Sequence, residues 1–379
     1  MGSPPRLHAS RFIVAAVVSL ALVLSAPFIG FIRSWIRASF PGQFARVVGG
    51  LLGAMALVAL GAAVVRIRDR RAVRYTAILT ALVVAAWYSL AHATGIPEVD
   101  VVQRFHFVEF GLITFLFYRA WRPLGDPAVL VLPALAGLIV GTADEWLQWF
   151  IPNRIGEMDD IFLNGIAIGC GLLFSLGADP PSAFNPALQP GSLKRIGRLA
   201  SAFVIAFAAF FHAVHLGYDI ADDEIGMFKS RYSKPALEAM AAEKLKEWRA
   251  HPPSLVLQRV SREDQYMTEG VTHVQERNEQ LAANDVAAAW RENRILEKYY
   301  APVLDTPSYV SATGHRWSAG QRADVESRFA ASKGSYISAA NPYPIYPWPR
   351  PLLWGIALAI AVSILTACAM LDRRSPPKL

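Results

Sequence analysis

The sequence predicts an all-α membrane protein, a polytopic bundle of about eight transmembrane helices with a small, mainly helical extracytoplasmic domain between spans seven and eight. Of its 379 residues, 54% are hydrophobic and only 18% are charged, a balance that excludes an ordinary soluble protein. Eight apolar runs are long enough to cross about 30 Å of hydrocarbon as helices. One long polar stretch, from about 217 to 349, separates the last two of them.

The eight apolar runs lie near residues 12–32, 47–65, 75–93, 102–120, 128–149, 159–177, 199–217 and 351–371. The first run has a competing interpretation, because Arg6 and Arg11 precede an apolar stretch ending in LSAP, a pattern typical of a secretory signal peptide. Pro27 directly after Ala26 disfavours cleavage there, and the apolar run continues to Ile32. We therefore expect a retained anchor, with the signal peptide as the alternative.

Basic residues set the predicted orientation. Lys and Arg are concentrated in RIRDRRAVR, YRAWR, GSLKRIGR and the tail LDRRSPPKL, which fall on one side of an eight-span arrangement. The positive-inside rule then places both termini in the cytoplasm and residues 218–349 outside it. The net charge of +7 comes largely from these loops and suits contact with anionic membrane lipids. It gives no reason to expect nucleic acid as a partner.

The polar stretch carries helical patterns. The segment PALEAMAAEKLKEW puts Leu237, Met240, Leu245 and Trp248 on one helical face. The segment VQERNEQLAANDVAAAWRENRILEKYY predicts a second, long helix. Ser318 followed by Gln321 fits a capping box that opens a third helix. These patterns predict a small domain built mainly from helices.

The stretch ends in NPYPIYPWPRP, where proline alternates with aromatic residues. We expect an extended segment with Tyr343, Tyr346 and Trp348 at the lipid–water boundary. A recognition groove for glycan or peptide is the alternative for this segment. The two cysteines, Cys170 and Cys368, both fall in predicted spans, so disulfides do not hold the domain together.

Polar side chains interrupt three neighbouring spans near one end. They are His106 and Glu109 on span four, Asp144, Glu145 and Gln148 on span five, and Asp159, Asp160 and Asn164 on span six. At a rise of about 1.5 Å per residue, the three sets lie at similar depth on the outer side of the bilayer. An ionised side chain at the bilayer centre costs on the order of 3 kcal/mol. We therefore expect spans four, five and six to turn these groups toward one another around a polar cavity.

Two arginines are candidates to neutralise the carboxylates of this cavity. Pro152 ends span five and places Arg154 in a tight external turn before span six. A planar guanidinium pairs well with carboxylates in a partly dry site, so we expect Arg154 to fold back over them. Arg104 is placed to do the same from span four.

The segments RFHFVEFGLITFLFYRAW and DEWLQWFIPNRIGEMDDIFLNGIAIGCG resemble the VanZ-like family of bacterial integral membrane proteins, over roughly residues 75–178. The resemblance places the family motif on Asp144, Glu145, Gln148, Pro152, Arg154, Asp159 or Asp160, Asn164 and Gly169, with His106 and Glu109 on the preceding helix. It implies the bacterial cytoplasmic (inner) membrane and an association with resistance to the lipoglycopeptide teicoplanin. It implies no particular reaction.

The chain accordingly divides into five predicted parts. Residues 1–70 form an N-terminal transmembrane pair, 75–178 the VanZ-like core, 196–217 span seven, 218–349 the extracytoplasmic domain, and 350–379 span eight with a cytoplasmic tail. The stretch ENRILEKYYAPVL in the domain also resembles longer relatives of the family.

The predicted site residues fall into two groups. The candidate catalytic residues are Asp144, Glu145, Arg154 and Asp160, and the candidate ligand-binding residues are Arg104, His106, Glu109, Gln148, Asp159 and Asn164. The alternative is a packing role, with Gly165, Gly169 and Gly171 bringing the helices close together. A divalent metal bound by His106, Glu109, Asp144 and Glu145, with His212 and His215 as further ligands, is chemically allowed. No compact ligand motif supports it, so the sequence assigns no metal and no cofactor.

Three functions are compatible with such a cavity. The first is binding or handling of an amphipathic cell-envelope molecule, such as a lipid-linked wall precursor or a lipoglycopeptide, with membrane lipids as the surrounding partners. The second is an intramembrane enzyme in which the carboxylates divide acid and base roles. The third is a proton-coupled transporter. The sequence shows no inverted repeat, which counts against this function. No protein partner is indicated.

Overall fold

The computed structural model describes residues 7–151, 156–251, 263–308, 310–329 and 336–374. Within these ranges the chain forms thirteen α-helices and one two-stranded antiparallel sheet. The prediction of an all-α polytopic bundle is confirmed.

Eight of the helices are long and apolar enough to cross a membrane, and each coincides with a predicted run. They are α1 (Ala9–Ser39), α2 (Phe44–Arg66), α3 (Arg71–Ala91), α4 (Pro97–Trp121), α5 (Ala128–Gln148), α6 (Met158–Ala178), α7 (Ser192–Val214) and α13 (Arg350–Arg374). The apolar part of α5 and of α6 is 56% buried, against 11–28% in the other six, so α5 and α6 are the most enclosed spans.

The chain folds into two compact units. The membrane unit comprises residues 1–147, 157–209 and 354–379, and the second unit comprises residues 148–156 and 210–353. Besides the ends of α7 and α13, the second unit contains β1 (Tyr218–Asp222), β2 (Gly226–Ser230), α8 (Lys234–Ala250), α9 (Glu263–Ala282), α10 (Val286–Tyr299), α11 (Ala301–Leu304) and α12 (Ala319–Arg328).

The membrane unit is built around the packing of α4, α5 and α6. Phe110 and Ile113 of α4 pack against Ala167 and Ile168 of α6, with apolar residues of α5 beside them. Small residues let these helices approach closely, as is common where lipid supplies no hydrophobic driving force.

The expected glycine contacts are only partly present. A Cβ at Gly171 would lie 2.9 Å from the Cα of Gly111, so α4 and α6 cross there with almost no side chain between them. The alternative packing role is not observed for two other glycines, since a Cβ at Gly169 would meet no atom within 4 Å and one at Gly165 would make only an ordinary contact. Gly141 of α5 does abut another helix, because its Cβ would lie 3.1 Å from the side-chain nitrogen of Asn164.

Buried polar contacts fix the opposite end of the same helices. Arg74 of α3 is buried and donates to the backbone carbonyls of Gly177 at 2.7 Å and Ala178 at 2.8 Å. These are carbonyls at the C-terminal end of α6 that lack helical partners, and a cation there is favoured by the helix dipole. The contact locks α3 against α6 and so fixes the position of their other ends.

In the second unit, an antiparallel hairpin precedes the helices. β1 pairs with β2 in a register that places Ile220 opposite Phe228, and both side chains are buried. The sequence analysis missed this hairpin. Asp222 accepts hydrogen bonds from the backbone of Glu224 and Ile225, and Gly226 has a φ of +117°. An Asx turn closed by a glycine is a hairpin signal that is readable from the sequence.

One helix predicted from the sequence is two helices in the structure. The segment expected to form a single long helix breaks between α9 and α10, where Asn284 has a φ of +65° and Asp285 accepts a hydrogen bond from the backbone nitrogen of Ala288. Asn tolerates the left-handed conformation and Asp is a favoured N-cap, so the dipeptide ends one helix and starts the next.

The remaining helical predictions for the second unit are largely confirmed. Leu237 and Trp248 are buried on one face of α8, although Lys244 is buried beside them and Leu245 is only half-buried. The capping box of Ser318 and Gln321 opens α12. Cys170 lies in α6 and Cys368 in α13, both as free thiols.

The exit segment is only partly the predicted interfacial anchor. It is extended, and Tyr346 and Trp348 are 39% and 50% exposed. Tyr343 is instead 3% exposed, and its hydroxyl donates to Glu269 at 2.9 Å. The prediction that Tyr343 lies at the lipid–water boundary was therefore wrong, because the ring is part of the core of the second unit.

Candidate functional site

The candidate site lies at one end of four consecutive spans. Because successive membrane helices run in opposite directions, the C-terminal ends of α3 and α5 lie on the same side as the N-terminal ends of α4 and α6. The predicted catalytic and ligand-binding residues other than Arg154 fall on the last three of these ends.

A cleft of about 640 Å³ opens between three of these helix ends. It is lined from α3 and the loop after it by Tyr88, Ser89, His92, Ala93 and Thr94, from α4 by Asp100, Gln103, Arg104 and Phe107, and from the start of α6 by Glu157, Asp159, Asp160, Phe162 and Leu163. We call this the α3–α4–α6 cleft. Three predicted site residues line it, namely Arg104, Asp159 and Asp160.

The α6 wall of the cleft is acidic for a local reason. Glu157 is the N-cap residue of α6, and Asp159 and Asp160 lie in its first turn. Carboxylates are stabilised at a helix N-terminus by the helix dipole and by the unpaired backbone N–H groups there. Asp159 is exposed and Asp160 is half-buried, so both acids are accessible from the cleft.

The α3 wall was not predicted from the sequence. The ring of His92 stacks on that of Tyr88, with centroids 4.0 Å apart and an interplanar angle of 16°. Asp100 is buried and accepts hydrogen bonds from the backbone nitrogen and the hydroxyl of Thr94, at 2.7 and 2.8 Å. This contact holds the α3–α4 loop against the first turn of α4. The sequence signal for this contact is Asp100, three residues after Pro97, because acidic residues are typical of the first turn of a helix.

Beneath the cleft residues, His106 of α4 is joined to Asn164 of α6. The Nδ1 atom of His106 lies 2.8 Å from the side-chain oxygen of Asn164, which is fully buried. An amide oxygen only accepts, so Nδ1 of His106 is the donor of this hydrogen bond. The ring of Phe110 is nearly parallel to that of His106, with centroids 6.0 Å apart.

The other side of Asn164 faces α5. Its Nδ2 atom is buried, and it has no hydrogen-bond partner among the residues that the structure describes. Gly141 of α5 abuts this nitrogen, as described above. Asn164 therefore lies at the meeting point of three spans, where any side chain larger than glycine at position 141 would displace it.

The buried acid Glu145 has a structural contact. It is fully buried, and its Oε2 atom accepts a hydrogen bond of 3.2 Å from the backbone nitrogen of Glu157. The carboxylate of α5 thus caps the beginning of α6, where negative charge is favoured. Asp144 and Gln148 are also buried, and Glu109 is half-buried.

The cleft therefore differs from the polar cavity that was expected between spans four, five and six. In the described part of the chain its walls come from α3, α4 and α6, and Asp144 and Glu145 do not line it. Glu145 is instead buried against the start of α6, where it accepts the hydrogen bond from Glu157. Arg154 and Pro152 lie outside the described residues.

The alternative metal ligands are placed as follows. His215 lies in the second unit, where it is 1% exposed and its Nδ1 atom donates to the carbonyl of Pro344 at 2.9 Å. That contact makes it a structural residue of the second unit. In the described ranges, no three His, Cys, Asp or Glu side chains are grouped as a metal ion would require.

Comparison with known proteins identifies the membrane helices that carry this site. Residues 87–177, roughly a quarter of the chain, match the family model VanZ/LLP1. The match begins at the end of α3 and includes α4, α5 and nearly all of α6, which are the helices that build the site. The predicted resemblance is confirmed over this range. No curated protein and no solved structure is significantly similar to the chain.

Proposed function

We propose that this multi-pass membrane protein, whose residues 87–177 form a VanZ/LLP1 domain, binds an amphipathic or lipid-linked cell-envelope molecule by its polar headgroup. The observation that carries the proposal is the α3–α4–α6 cleft, where charged and aromatic side chains meet at the ends of membrane helices. The headgroup occupies the cleft, and the hydrocarbon chains stay in the surrounding lipid.

The size and the lining of the cleft support this ligand class. Its volume of about 640 Å³ lies within the range of about 300–1,000 Å³ that small-molecule sites occupy. Phe107 and Phe162 supply apolar surface beside the charged groups, and Phe162 is 65% exposed. A ligand that is polar at one end and apolar at the other satisfies both parts of this surface.

The charges of the cleft indicate what the headgroup contains. Among the described residues, four carboxylates line it, those of Asp100, Glu157, Asp159 and Asp160, together with the guanidinium of Arg104. An amine pairs with the accessible acids, and a phosphate or carboxylate pairs with the arginine. A headgroup with both kinds of group therefore fits better than a purely anionic one. Lipid-linked wall precursors and lipoglycopeptides belong to this chemical class, which is the basis for a role in glycopeptide resistance.

The proposal includes an orientation. With both termini in the cytoplasm, as the basic loops predict, the cleft opens toward the outer leaflet of the bacterial inner membrane and residues 218–349 are extracytoplasmic. A cysteine placed at Glu326, in a variant without Cys170 and Cys368, tests this arrangement. We expect an impermeant maleimide to label it in intact cells once the outer envelope is permeabilised. Labelling only after lysis contradicts the orientation.

The binding proposal is tested with the full chain in lipid nanodiscs and a fluorescent lipid-linked wall precursor. We expect Arg104→Gln and the pair Asp159→Asn with Asp160→Asn each to weaken binding by at least about tenfold, which corresponds to about 1.4 kcal/mol. Glu98→Gln is the matched control, because this exposed acid of the first turn of α4 pairs with Arg37 and does not line the cleft. Unchanged affinity in both cleft variants contradicts the proposal.

One contact supports a second candidate function, an intramembrane enzyme acting on the same lipid. Asn164 accepts a hydrogen bond from the Nδ1 atom of His106 and so orients the ring, as a second residue orients the histidine of a general base. Purified protein incubated with envelope lipids, with and without divalent ions, tests it by mass spectrometry. The enzyme proposal requires a new product that is lost in His106→Gln, and the absence of any product counts against it.

A further inference from the structure

The second unit contains a pocket that the proposed function does not use. It has a volume of about 190 Å³. Its lining comes from α10, through Trp290, Asn293, Arg294 and Glu297, from Trp317 before α12, and from Arg322 and Glu326 of α12. None of these residues lies within the range that matches the family model.

Two tryptophans form its aromatic walls. Both Trp290 and Trp317 are half-buried. Trp290 stacks on Phe329, with ring centroids 4.2 Å apart and an interplanar angle of 20°. The guanidinium carbon of Arg277 lies 5.1 Å from the centroid of the Trp317 ring, and Arg277 itself is buried and bonded to Asn293 at 2.9 Å. Neighbouring side chains therefore contact each of the two rings.

The polar part of the pocket is already neutralised. Glu297 accepts hydrogen bonds from the side-chain nitrogen of Asn293 at 3.0 Å, from Arg294 at 2.9 Å and from Arg322. Glu326 lies 3.9 Å from Arg322 on the next turn of α12. Two guanidinium groups thus accompany two carboxylates in the lining, and Arg294 also donates to Glu224 behind it. The lining therefore presents planar hydrogen-bonding groups without a net charge of its own. An ionic ligand would lose its hydration in this pocket and would find no unpaired opposite charge there to offset that loss.

We propose that this pocket binds one uncharged sugar residue of a glycan. A pyranose ring has apolar C–H faces, which pack on indole rings, and a rim of hydroxyl groups, which both donate and accept. Asn, Arg and Glu side chains supply the complementary donors and acceptors. The volume is below the lower limit of about 300 Å³ for sites of drug-sized ligands, so it accommodates a single ring and leaves the rest of the glycan in solvent.

The test uses the full chain in nanodiscs and the soluble trimer of β-1,4-linked N-acetylglucosamine, with maltotriose as a second neutral glycan. Binding is measured by saturation-transfer NMR and by titration of tryptophan fluorescence. We expect a Kd on the order of 1 mM or below for at least one of the two trimers. Trp317→Ala should weaken it by about tenfold or more, because aromatic anchors carry most of the energy of small binding sites.

Two further variants keep the result interpretable. Arg322→Gln changes a half-exposed side chain of the pocket without removing an aromatic wall, and it should also weaken sugar binding. Trp348→Ala removes a half-exposed tryptophan outside the pocket and should leave binding unchanged. Near-ultraviolet circular dichroism of each variant reports folding of the domain.

Three outcomes overturn the proposal. The first is that neither trimer binds. The second is that sugar binding is the same in folded Trp317→Ala and Arg322→Gln proteins as in the unchanged protein. The third is that glucose 6-phosphate or glucosamine binds more tightly than the neutral sugars at this site, since the balanced charges require the opposite order.

Discussion

The guanidinium of Arg231 lies over the ring of Trp149, with its carbon 3.9 Å from the ring centroid. Trp149 directly follows α5 and is 1% exposed. Its carbonyl accepts a hydrogen bond of 2.5 Å from Gln265, and its ring packs edge-on against Tyr343 at 5.6 Å. Residues from three separate parts of the second unit therefore hold the residue with which the α5–α6 loop begins.

This relationship connects the second unit with the segment that follows α5. The α5–α6 loop carries Arg154, which the sequence analysis placed on the family motif. Residues 148–156 are assigned to the second unit, with Trp149 and Ile151 buried in it. The contacts of Trp149 thus join the start of the segment between α5 and α6, which belongs to the VanZ/LLP1 range, to the core of the second unit.

The first prediction concerns this anchor. We expect Trp149→Ala to destabilise the second unit by about 3–5 kcal/mol, because it leaves a large cavity and removes the ring beneath a buried guanidinium. Hydrogen exchange of the amides of α9 measures the free energy of opening. Trp348→Ala is the control, since that ring is 50% exposed and should change the free energy by less than about 1 kcal/mol. Equal effects of the two substitutions would show that Trp149 is not a core residue.

The second prediction compares two glycines of α6 that are one half-turn apart. Gly171→Ala places a methyl group against the backbone of α4 at Gly111, so we expect a loss of about 1–3 kcal/mol in stability. Gly169→Ala meets open space and should be neutral or slightly stabilising, because alanine is the better helix former. Thermal unfolding of the purified variants in nanodiscs measures the difference. A more harmful substitution at position 169 would contradict the observed α4–α6 crossing.

These two glycines also illustrate what the sequence did and did not determine. Long apolar runs predicted all eight spans, because length and hydropathy alone decide whether a helix crosses a bilayer. They do not determine which face of a helix meets which neighbour, so Gly165, Gly169 and Gly171 looked equivalent. Only the crossing of α4 and α6 distinguishes Gly171 from the other two.

The candidate site was also predicted only in part. Charged side chains within apolar runs identified Arg104, Asp159 and Asp160, because lipid excludes such residues unless they face a polar space. The exclusion of charge from lipid does not separate acids that line a cleft from a buried acid that accepts a hydrogen bond from a neighbouring helix, as Glu145 does. The sequence pattern also overlooked His92, since one histidine near the end of a span is equally common at a membrane interface.

The third prediction concerns the contact between His106 and Asn164. Asn164→Ala removes the acceptor of the Nδ1 proton and leaves a buried donor without its partner, so we expect a loss of about 1–3 kcal/mol in stability. Ser175→Ala is a matched control, because this fully buried hydroxyl of α6 donates only within its own helix, to the carbonyl of Gly171. Its loss should cost less than about 1 kcal/mol.

The NMR resonances of the His106 ring provide the readout that packing alone would not change. With ¹⁵N-labelled histidine, we expect a proton on Nδ1 of His106 in the unchanged protein and a mixture of tautomers in Asn164→Ala. The Ser175→Ala protein should retain the proton on Nδ1. A mixture in the unchanged protein would contradict the hydrogen bond and weaken the enzyme proposal that rests on it.

The last prediction is a pH dependence centred on His315. This side chain is 5% exposed in the second unit, and its Nε2 atom has no hydrogen-bond partner among the described residues. Burial lowers the pKa of His315, and the neighbouring charge of Arg277 lowers it further. The folded state therefore favours the neutral ring. Its contribution to stability is complete above the unfolded pKa of about 6.5 and is lost as the pH falls through the lower folded value.

Replacement of His315 by glutamine isolates this effect, because glutamine does not titrate and all other histidines are the same in both proteins. We expect the unchanged protein to lose more stability than His315→Gln between about pH 7.5 and pH 5.5, on either side of the usual histidine pKa of about 6.5. Thermal unfolding followed by the fluorescence of the tryptophans, among them Trp317, measures both slopes. Parallel slopes, or a steeper one for His315→Gln, would mean that protonation of His315 does not oppose folding and that the ring is accessible to water.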